Sequence, residues 1–434
     1  MYSIKFPLID KLKLFRNGMF KPQASTIVPP SVTSSPKATR NALNVRIDDN
    51  WYDLSGWRKA HPAGEHWIDM YNNRDATEVM QGFHSDDSLK MLQRLPKSKT
   101  PEELQKNTPE VTAVSRNFRA LRKKLVEEGW WKRDYFHEAR LLAIWAGLFF
   151  TGLAVARSNP WAGLGLLTLA NTNAGWLGHD YIHGVDKFGH SLRNFAALTA
   201  GMSPTWWSDK HNKHHAVPNE WGVDEDLDTE PVLHVLPPNA SKDHPLRKFQ
   251  HIYLPLAFSL MFLVWRIDSM KVCINDAKNG FKRKTQWELA LQLAHYGILA
   301  AFVPIPVIVG HVFLSGLISA IIVTVTHQSE DLFFEFNPDF VLAQFQSTRN
   351  AECQTVFSDW LWGGMQWQLE HHLFPSMPRS RYPAVAKVVK QFAAENNIEY
   401  RTMDEFKLIK KNWDLYKLVA ESPSAPDGAS RAFQ

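Results

Sequence analysis

Seven histidines fall into three tight clusters: His179-Asp-Tyr-Ile-His183, His211-Asn-Lys-His214-His215 and Gln368-Leu-Glu-His371-His372. On a helix, positions i and i+4, or i, i+3 and i+4, share one face. Each cluster can therefore aim its imidazoles at a common point. Imidazole suits iron, copper, nickel and zinc. Seven imidazoles are too many for one tetrahedral zinc but suit two metal ions. His327, at the end of the last apolar run, offers an eighth ligand. A lone histidine is usually a surface residue or a satisfied core residue. His66, His137, His190, His234 and His244 are read that way, as are His295 and His311 inside apolar runs.

The elements that must position these clusters are segregated along the chain. Mean hydropathy is only -0.30, yet residues 139–178 and 251–326 contain long apolar runs and the rest is polar. Ala139–Ala156 and Trp161–Leu177 are each close to the roughly 20 residues that span a bilayer, and the Asn159–Pro160 turn makes them a helical hairpin. Asn194–Trp207 is too short to span and belongs in or under the interface. Ile252–Trp265, Trp287–Val303 and Pro306–Thr326 follow. Histidines that share one site must share one side of the membrane. An even number of crossings must then separate residues 211–215 from residues 327 and 371–372, so one of the three later runs does not cross. Four crossings are expected, in two hairpins. Trp287–Val303, which contains Gln292 and His295, is expected to be the interfacial segment.

Only two cysteines occur, Cys273 and Cys353, and they resemble neither a disulfide framework nor a zinc site. Lys and Arg number 49 against 44 Asp and Glu, a mild excess that suits an anionic lipid surface. No basic motif points to nucleic acid. Residues 1–41 read as a disordered segment, or as a transit peptide because Asp10 is their only acidic residue. Residues 42–120 read as a small soluble α+β domain. Strands are expected at 43–47 and Trp51–Leu54, and helices at Glu65–Tyr71 and Thr77–Phe83. Residues 110–135 form a charged helical connector ending in Gly129-Trp130-Trp131. The membrane domain is expected over 130–410, with a disordered tail at 420–434.

In this order and flanked by apolar spans, HDYIH, HNKHH and QLEHH resemble the three histidine boxes of membrane fatty-acid desaturases. Gln368 at the head of the third box resembles the front-end desaturases and the related sphingolipid long-chain-base desaturases. Trp206–His215 leading into the acidic run Asp224–Glu230, and QLEHHLFPSMP at Gln368–Pro378, agree with that likeness. The resemblance implies a mostly α fold and a di-iron centre that binds O2, takes two electrons and removes hydrogens from neighbouring methylenes. An alkyl C–H bond is not acidic, so a metal must supply the oxidant. By the same pattern Gln368 replaces a box histidine, either on iron directly or through water. No catalytic residue beyond the metal ligands is expected.

Trp51-Tyr-Asp-Leu54, His61-Pro-Ala-Gly64, Asp75-Ala-Thr77 and His84-Ser85 resemble cytochrome b5. The resemblance makes His61 and His84 the two axial ligands of a b-type haem, which leaves no position for O2 and makes an electron carrier. Two features depart from the pattern. Ala63 stands where the family has Gly, and the stretch before residue 46 lacks an opening strand and helix. The implied partners are a fatty-acyl lipid or acyl-CoA, O2, NADH-cytochrome b5 reductase and the membrane. The expected address is the endoplasmic reticulum membrane, with the plastid envelope second. A long-chain-base desaturase, a hydroxylase and a non-enzymatic haem carrier are the alternatives.

Overall fold

The computed structural model describes residues 42–278 and 283–427. The segment expected to be disordered at 1–41 lies outside the described residues, as does most of the stretch before residue 46. The fold is mostly helical, with a small N-terminal sheet.

Strands β1 (Asn44–Ile47) and β2 (Asn50–Asp53) pair antiparallel, with Val45 opposite Tyr52. Their two-residue turn needs a left-handed residue, which Asp48 supplies at φ 53°. β3 (Arg74–Asp75) adds to β1 in parallel. Helices α1 (His66–Met70) and α2 (Thr77–Phe83) cover the sheet. Val45, Ile47, Tyr52, Trp67, Ile68 and Val79 fill the core between them. α3 (Asp86–Leu92) and α4 (Pro101–Asn107) close this unit.

The connector is α5 (Ala113–Glu127). Its apolar face does not belong to the small unit: Phe118 and Leu125 are buried with Val341, Phe374, Val385 and Phe392. The boundary expected at 120 therefore falls before Ala113. The polar face of α5 reaches back, with Arg119 bonding Glu78 at 2.7 Å and Asp75 at 3.1 Å.

α6 (Tyr135–Val155) and α7 (Pro160–His183) form the expected hairpin. Asp134 caps the first helix, and Asn159 followed by Pro160 starts the second. The helices cross so closely that a Cβ on Gly163 would lie 2.5 Å from Ala156 Cα. Short helices α8 (Lys187–Leu192) and α9 (Phe195–Thr199) lead to α10 (Pro204–Ala216). After a polar loop come α11 (Gln250–Ser259), α12 (Met261–Lys278), α13 (Arg283–Phe302) and α14 (Ile305–Val325). α15 (Phe340–Ser347), α16 (Val356–Trp362), α17 (Gln368–Leu373), α18 (Tyr382–Glu395) and α19 (Glu405–Glu421) form the C-terminal cap. A short parallel pair, β4 (Asn350–Glu352) with β5 (Thr402–Asp404), ties the cap together.

Trp287–Val303 lies almost wholly in α13, an unbroken 20-residue helix. Its polar residues face inward. Glu288 accepts from Thr205 Oγ1 at 2.6 Å, Gln292 from Ser269 at 3.2 Å, and His295 meets the Leu198 carbonyl at 3.1 Å. The run that breaks is Ile252–Trp265, at Leu260 between α11 and α12. In the C-terminal tail, residues 422–427 are docked. Arg247 bonds the Ser422 carbonyl at 3.1 Å, and Ser241 bonds Asp427 at 2.6 Å.

Among the described residues, α6 and α14 are long and apolar enough to cross a membrane. The turn between α6 and α7 meets the end of α13, where Arg157 donates to the Ala301 carbonyl at 2.9 Å and the Phe302 carbonyl at 3.2 Å. Both hairpin turns therefore lie at one end of the helices, and the histidine clusters lie at the other.

Candidate metal centre

Four helix ends deliver the clusters. α7 finishes on His179 and His183, one turn apart. α10 starts at Pro204, where Ser203 accepts the Trp206 N–H at 3.1 Å, and carries His211, His214 and His215. His327 follows α14 by two residues. α17 is only six residues long, so neighbours hold it. Asn350 accepts the Leu369 N–H at 2.9 Å and donates to buried Glu370 at 2.7 Å.

The eight imidazoles sort into two groups. His179, His183, His211, His215 and His371 form one, and His214, His327 and His372 the other; within each, the ligand nitrogens lie within 4.8 Å of one another. The groups adjoin at His215 and His372, whose ring centroids are 4.1 Å apart. The Gln368 amide nitrogen sits 2.7 Å from His327 Nε2, which places this side chain beside the smaller group.

Five rings are aimed by a partner on Nδ1. His214 bonds Asp224 at 2.8 Å, His372 the Gln344 amide oxygen at 2.8 Å, and His327 the Ser347 carbonyl at 3.0 Å. His371 bonds the Tyr382 hydroxyl at 3.1 Å, and His179 reaches Asp180 at 3.5 Å. Each of these bonds turns Nε2 toward the centre, the arrangement that orients metal-binding histidines, although His327 Nε2 also meets the Gln368 amide. Burial, and then mutual repulsion, holds His211, His215, His371 and His372 well below the ordinary imidazole value. They are therefore neutral, as ligands must be. For His214 burial acts in the same direction, but the Asp224 and Asp226 carboxylates outweigh it and raise the value.

The donors fit metal ions. His179 Nε2 and His211 Nε2 are 2.9 Å apart, and His211 Nε2 and His215 Nε2 are 3.1 Å apart. Two ligands at a right angle on a first-row ion lie about 3 Å apart, given bonds of about 2.1 Å. Both ring nitrogens of His183, Nε2 of His371 and His372, and Oε1 of Gln368 are buried with no protein partner. Leaving so many buried polar atoms unpaired is costly, and bound metal removes that cost. A cavity of about 550 Å³ opens on His179, His211, His214, His327 and Gln368, with walls of Trp207, Phe258, Met261 and Phe262.

In the small unit, the His61 and His84 rings face one another with centroids 6.2 Å apart, room for one iron between them. His61 Nδ1 is 3.0 Å from the Gly64 carbonyl and His84 Nδ1 3.2 Å from the Met80 carbonyl, so Nε2 of each is free to bind. Burial, with the neighbouring His61, lowers His84 to about 4. The positive φ in this loop falls at Gly64 (113°), not at Ala63.

The family model for fatty acid desaturases matches residues 158–403. The chain belongs to the fatty acid desaturase family. Residues 35–99 match the cytochrome b5-like heme/steroid binding domain. The Delta(6)-fatty-acid desaturase fat-3 of Caenorhabditis elegans is 30% identical, over 88% of this chain and 97% of its own. The Delta(8)-fatty-acid desaturase of Euglena gracilis is 28% identical over 84% and 92%. The acyl-lipid 8-desaturase of Rebecca salina is 25% identical over 91% and 96%.

This desaturase is an oxidoreductase whose cofactors are a non-haem iron pair and haem. The iron pair, when bound, activates O2 for removal of two hydrogens from an alkyl chain. The chain's own residues do the rest. Eight imidazoles converge there, the Asp224 and Asp180 carboxylates stand beside His214 and His179, and apolar side chains wall the cavity. All the expected cluster residues come together. His295 and His311 stay apart from the centre on backbone carbonyls, Leu198 and Val307. The outer partners Gln344, Tyr382 and the Ser347 carbonyl were not expected from the sequence, because they belong to no local motif. Asp224 lies in the acidic run already noted, and its burial is what singles it out.

Proposed function

We propose that this protein is a front-end fatty-acyl desaturase. It inserts a cis double bond into an already unsaturated chain carried on a lipid or on CoA. In each turnover O2, two electrons and two protons convert one CH2–CH2 unit to CH=CH and leave two waters. The observation that carries this reading is the group of eight imidazoles and Gln368 at the head of an apolar cavity. Iron is held by His179, His183, His211, His215 and His371 on one side, and by His214, His327, His372 and Gln368 on the other. His61 and His84 hold the haem. The Delta(6) and Delta(8) names of the relatives support front-end insertion.

The membrane unit crosses four times, as the hairpins α6–α7 and α13–α14, with α11–α12 packed beside them. A 20-residue helix is about 30 Å long, the thickness of the hydrocarbon core. The Arg157 contact with the end of α13 supports two turns on one side. The box histidines, the haem unit and the C-terminal cap then share the cytosolic face of the endoplasmic reticulum. An NADH-dependent cytochrome b5 reductase supplies the electrons there.

The deciding experiment is expression in a host with simple lipids, fed unsaturated acids, followed by mass spectrometry of double-bond positions. A new double bond on the carboxyl side of an existing one is expected. A hydroxy lipid, a desaturated sphingoid base or no product would each overturn the proposal.

A further inference from the structure

The two histidine systems meet through one side chain. Phe83 ends α2 and directly precedes His84. Its ring lies against His183 with centroids 6.4 Å apart and an interplanar angle of 26°. It also meets His215 edge-on at 6.0 Å. Both contacts are to the five-imidazole group. Next to it, a Cβ on Gly82 would sit 3.6 Å from Pro375, just past α17, so the end of α2 is packed onto the centre.

This contact is braced on several sides. Arg119 holds Glu78 and Asp75, and Arg122 donates to the Gln81 carbonyl, both from α5. His66 Nε2 lies 2.9 Å from an Asp209 carboxylate oxygen on α10, and the Tyr71 hydroxyl reaches the Ala216 carbonyl at 3.4 Å. Arg74 stacks on Phe336 at 3.9 Å. The haem unit is therefore clamped to the helix that carries the second histidine box, and Phe83 is held in place.

We propose that Phe83 is the electron bridge of this enzyme, and that electrons enter at the five-imidazole half through His183 and His215. This rests on the reading of His61 and His84 as haem ligands. Electron tunnelling decays steeply with gaps between atoms and favours bonded or packed routes. From the His84 ring the route is covalent to Phe83, and then crosses one ring contact to either iron-binding imidazole. One electron passes per transfer, oxidising ferrous haem to ferric and reducing the iron pair. Two transfers serve each turnover, and the NADH-dependent reductase re-reduces the haem between them. Phe83 itself is neither oxidised nor reduced. The five-imidazole half is favoured because no ring contact of Phe83 reaches the smaller group among the described residues.

The test uses the full-length holoprotein in vesicles of dilinoleoyl-phosphatidylcholine. Haem is reduced with NADH and reductase without oxygen, then mixed with O2, and its reoxidation is followed by stopped-flow absorbance. In Phe83→Leu, which keeps the bulk but loses the ring, reoxidation should slow by an order of magnitude or more. Phe83→Tyr should keep the wild-type rate. Haem and non-haem iron contents should be unchanged in both, as should oxidation of the haem by soluble ferricyanide. Unslowed reoxidation in Phe83→Leu would overturn the proposal. So would loss of haem or iron from that variant, because Phe83 would then be a packing residue only. A haem spectrum that survives in His84→Ala would instead overturn the ligand reading on which the proposal rests.

Discussion

The two metal-binding regions hold their histidines in opposite ways. In the di-iron region, four rings are fixed by groups 10 to 28 residues away, on Asp224, Gln344, Ser347 and Tyr382, and only His179 leans on its neighbour, Asp180. His215 and His372 are fully buried. In the haem region, His61 and His84 lean on carbonyls three and four residues away and remain partly exposed. The difference follows the chemistry. A centre that activates O2 must exclude water and keep its donors rigid. A carrier must let a soluble reductase approach its haem. Global packing builds the first, and local turns suffice for the second.

The largest effects should separate the regions cleanly. His371→Ala or His214→Ala should abolish turnover and lower non-haem iron, while the haem spectrum and membrane insertion stay intact. Both residues lie outside the spanning helices, so insertion is not at issue. Iron analysis beside the absorption spectrum checks this; full turnover in either variant would show that ring to be dispensable. His61→Ala or His84→Ala should do the reverse. The b-type spectrum and most activity should go, with the iron pair retained. Full activity in both without added cytochrome b5 would mean that the fused unit is not the donor.

Gln368 divides the di-iron region internally. Its amide nitrogen meets His327, and its Oε1 is buried without a protein partner. Gln368→Ala should lower the iron content of the three-imidazole half and reduce turnover strongly, but less than His371→Ala. Mössbauer spectroscopy of iron-loaded protein would show one of two iron environments altered. Two unaltered environments would place Gln368 outside the coordination sphere.

A smaller effect is expected at the outer partners. Tyr382→Phe removes the hydroxyl from His371 Nδ1 while keeping the ring. Loss of such a partner typically costs about 10–100-fold in metal affinity or activity. Competition with a chelator measures it, and an unchanged affinity would mean that packing alone aims His371.

These outer partners mark the limit of what the sequence discloses. The box histidines were legible because helix periodicity is written locally. The strands expected at 43–47 and Trp51–Leu54 and the helices at Glu65–Tyr71 and Thr77–Phe83 fall within a residue of the observed elements, because these too are set by short local stretches. Tyr382 and Gln344 were not, since only the folded chain brings α18 and α15 beside α17. The partners of Trp287–Val303 were hidden for a related reason. Glu288, Gln292 and His295 lower its hydropathy and suggest an interface. In the fold they meet Ser203, Thr205, Ser269 and the Leu198 carbonyl and are buried. A polar residue in an apolar run signals a partner as readily as a surface. The docked end at residues 422–427 rests on a few contacts with residues 239–247, which leave no periodic trace.

The smallest effect concerns the one substitution that made the haem motif look weakened. If Ala63 occupied a left-handed position, Ala63→Gly would relieve strain and stabilise the haem unit. The left-handed residue is Gly64, at φ 113°, where a Cβ would also lie 2.8 Å from the His66 ring. Ala63→Gly should therefore bring no gain, only a loss of about 0.4–1 kcal/mol from the added freedom of the unfolded chain. Gly64→Ala should cost more, about 1–3 kcal/mol for the backbone strain. It should also push the His66 ring against its contact with Asp209. Urea unfolding of the full-length protein, followed by the haem absorption band, measures both. A stabilising Ala63→Gly would show that the loop around His61 is strained at Ala63 after all, and that the haem unit is weaker than its geometry implies.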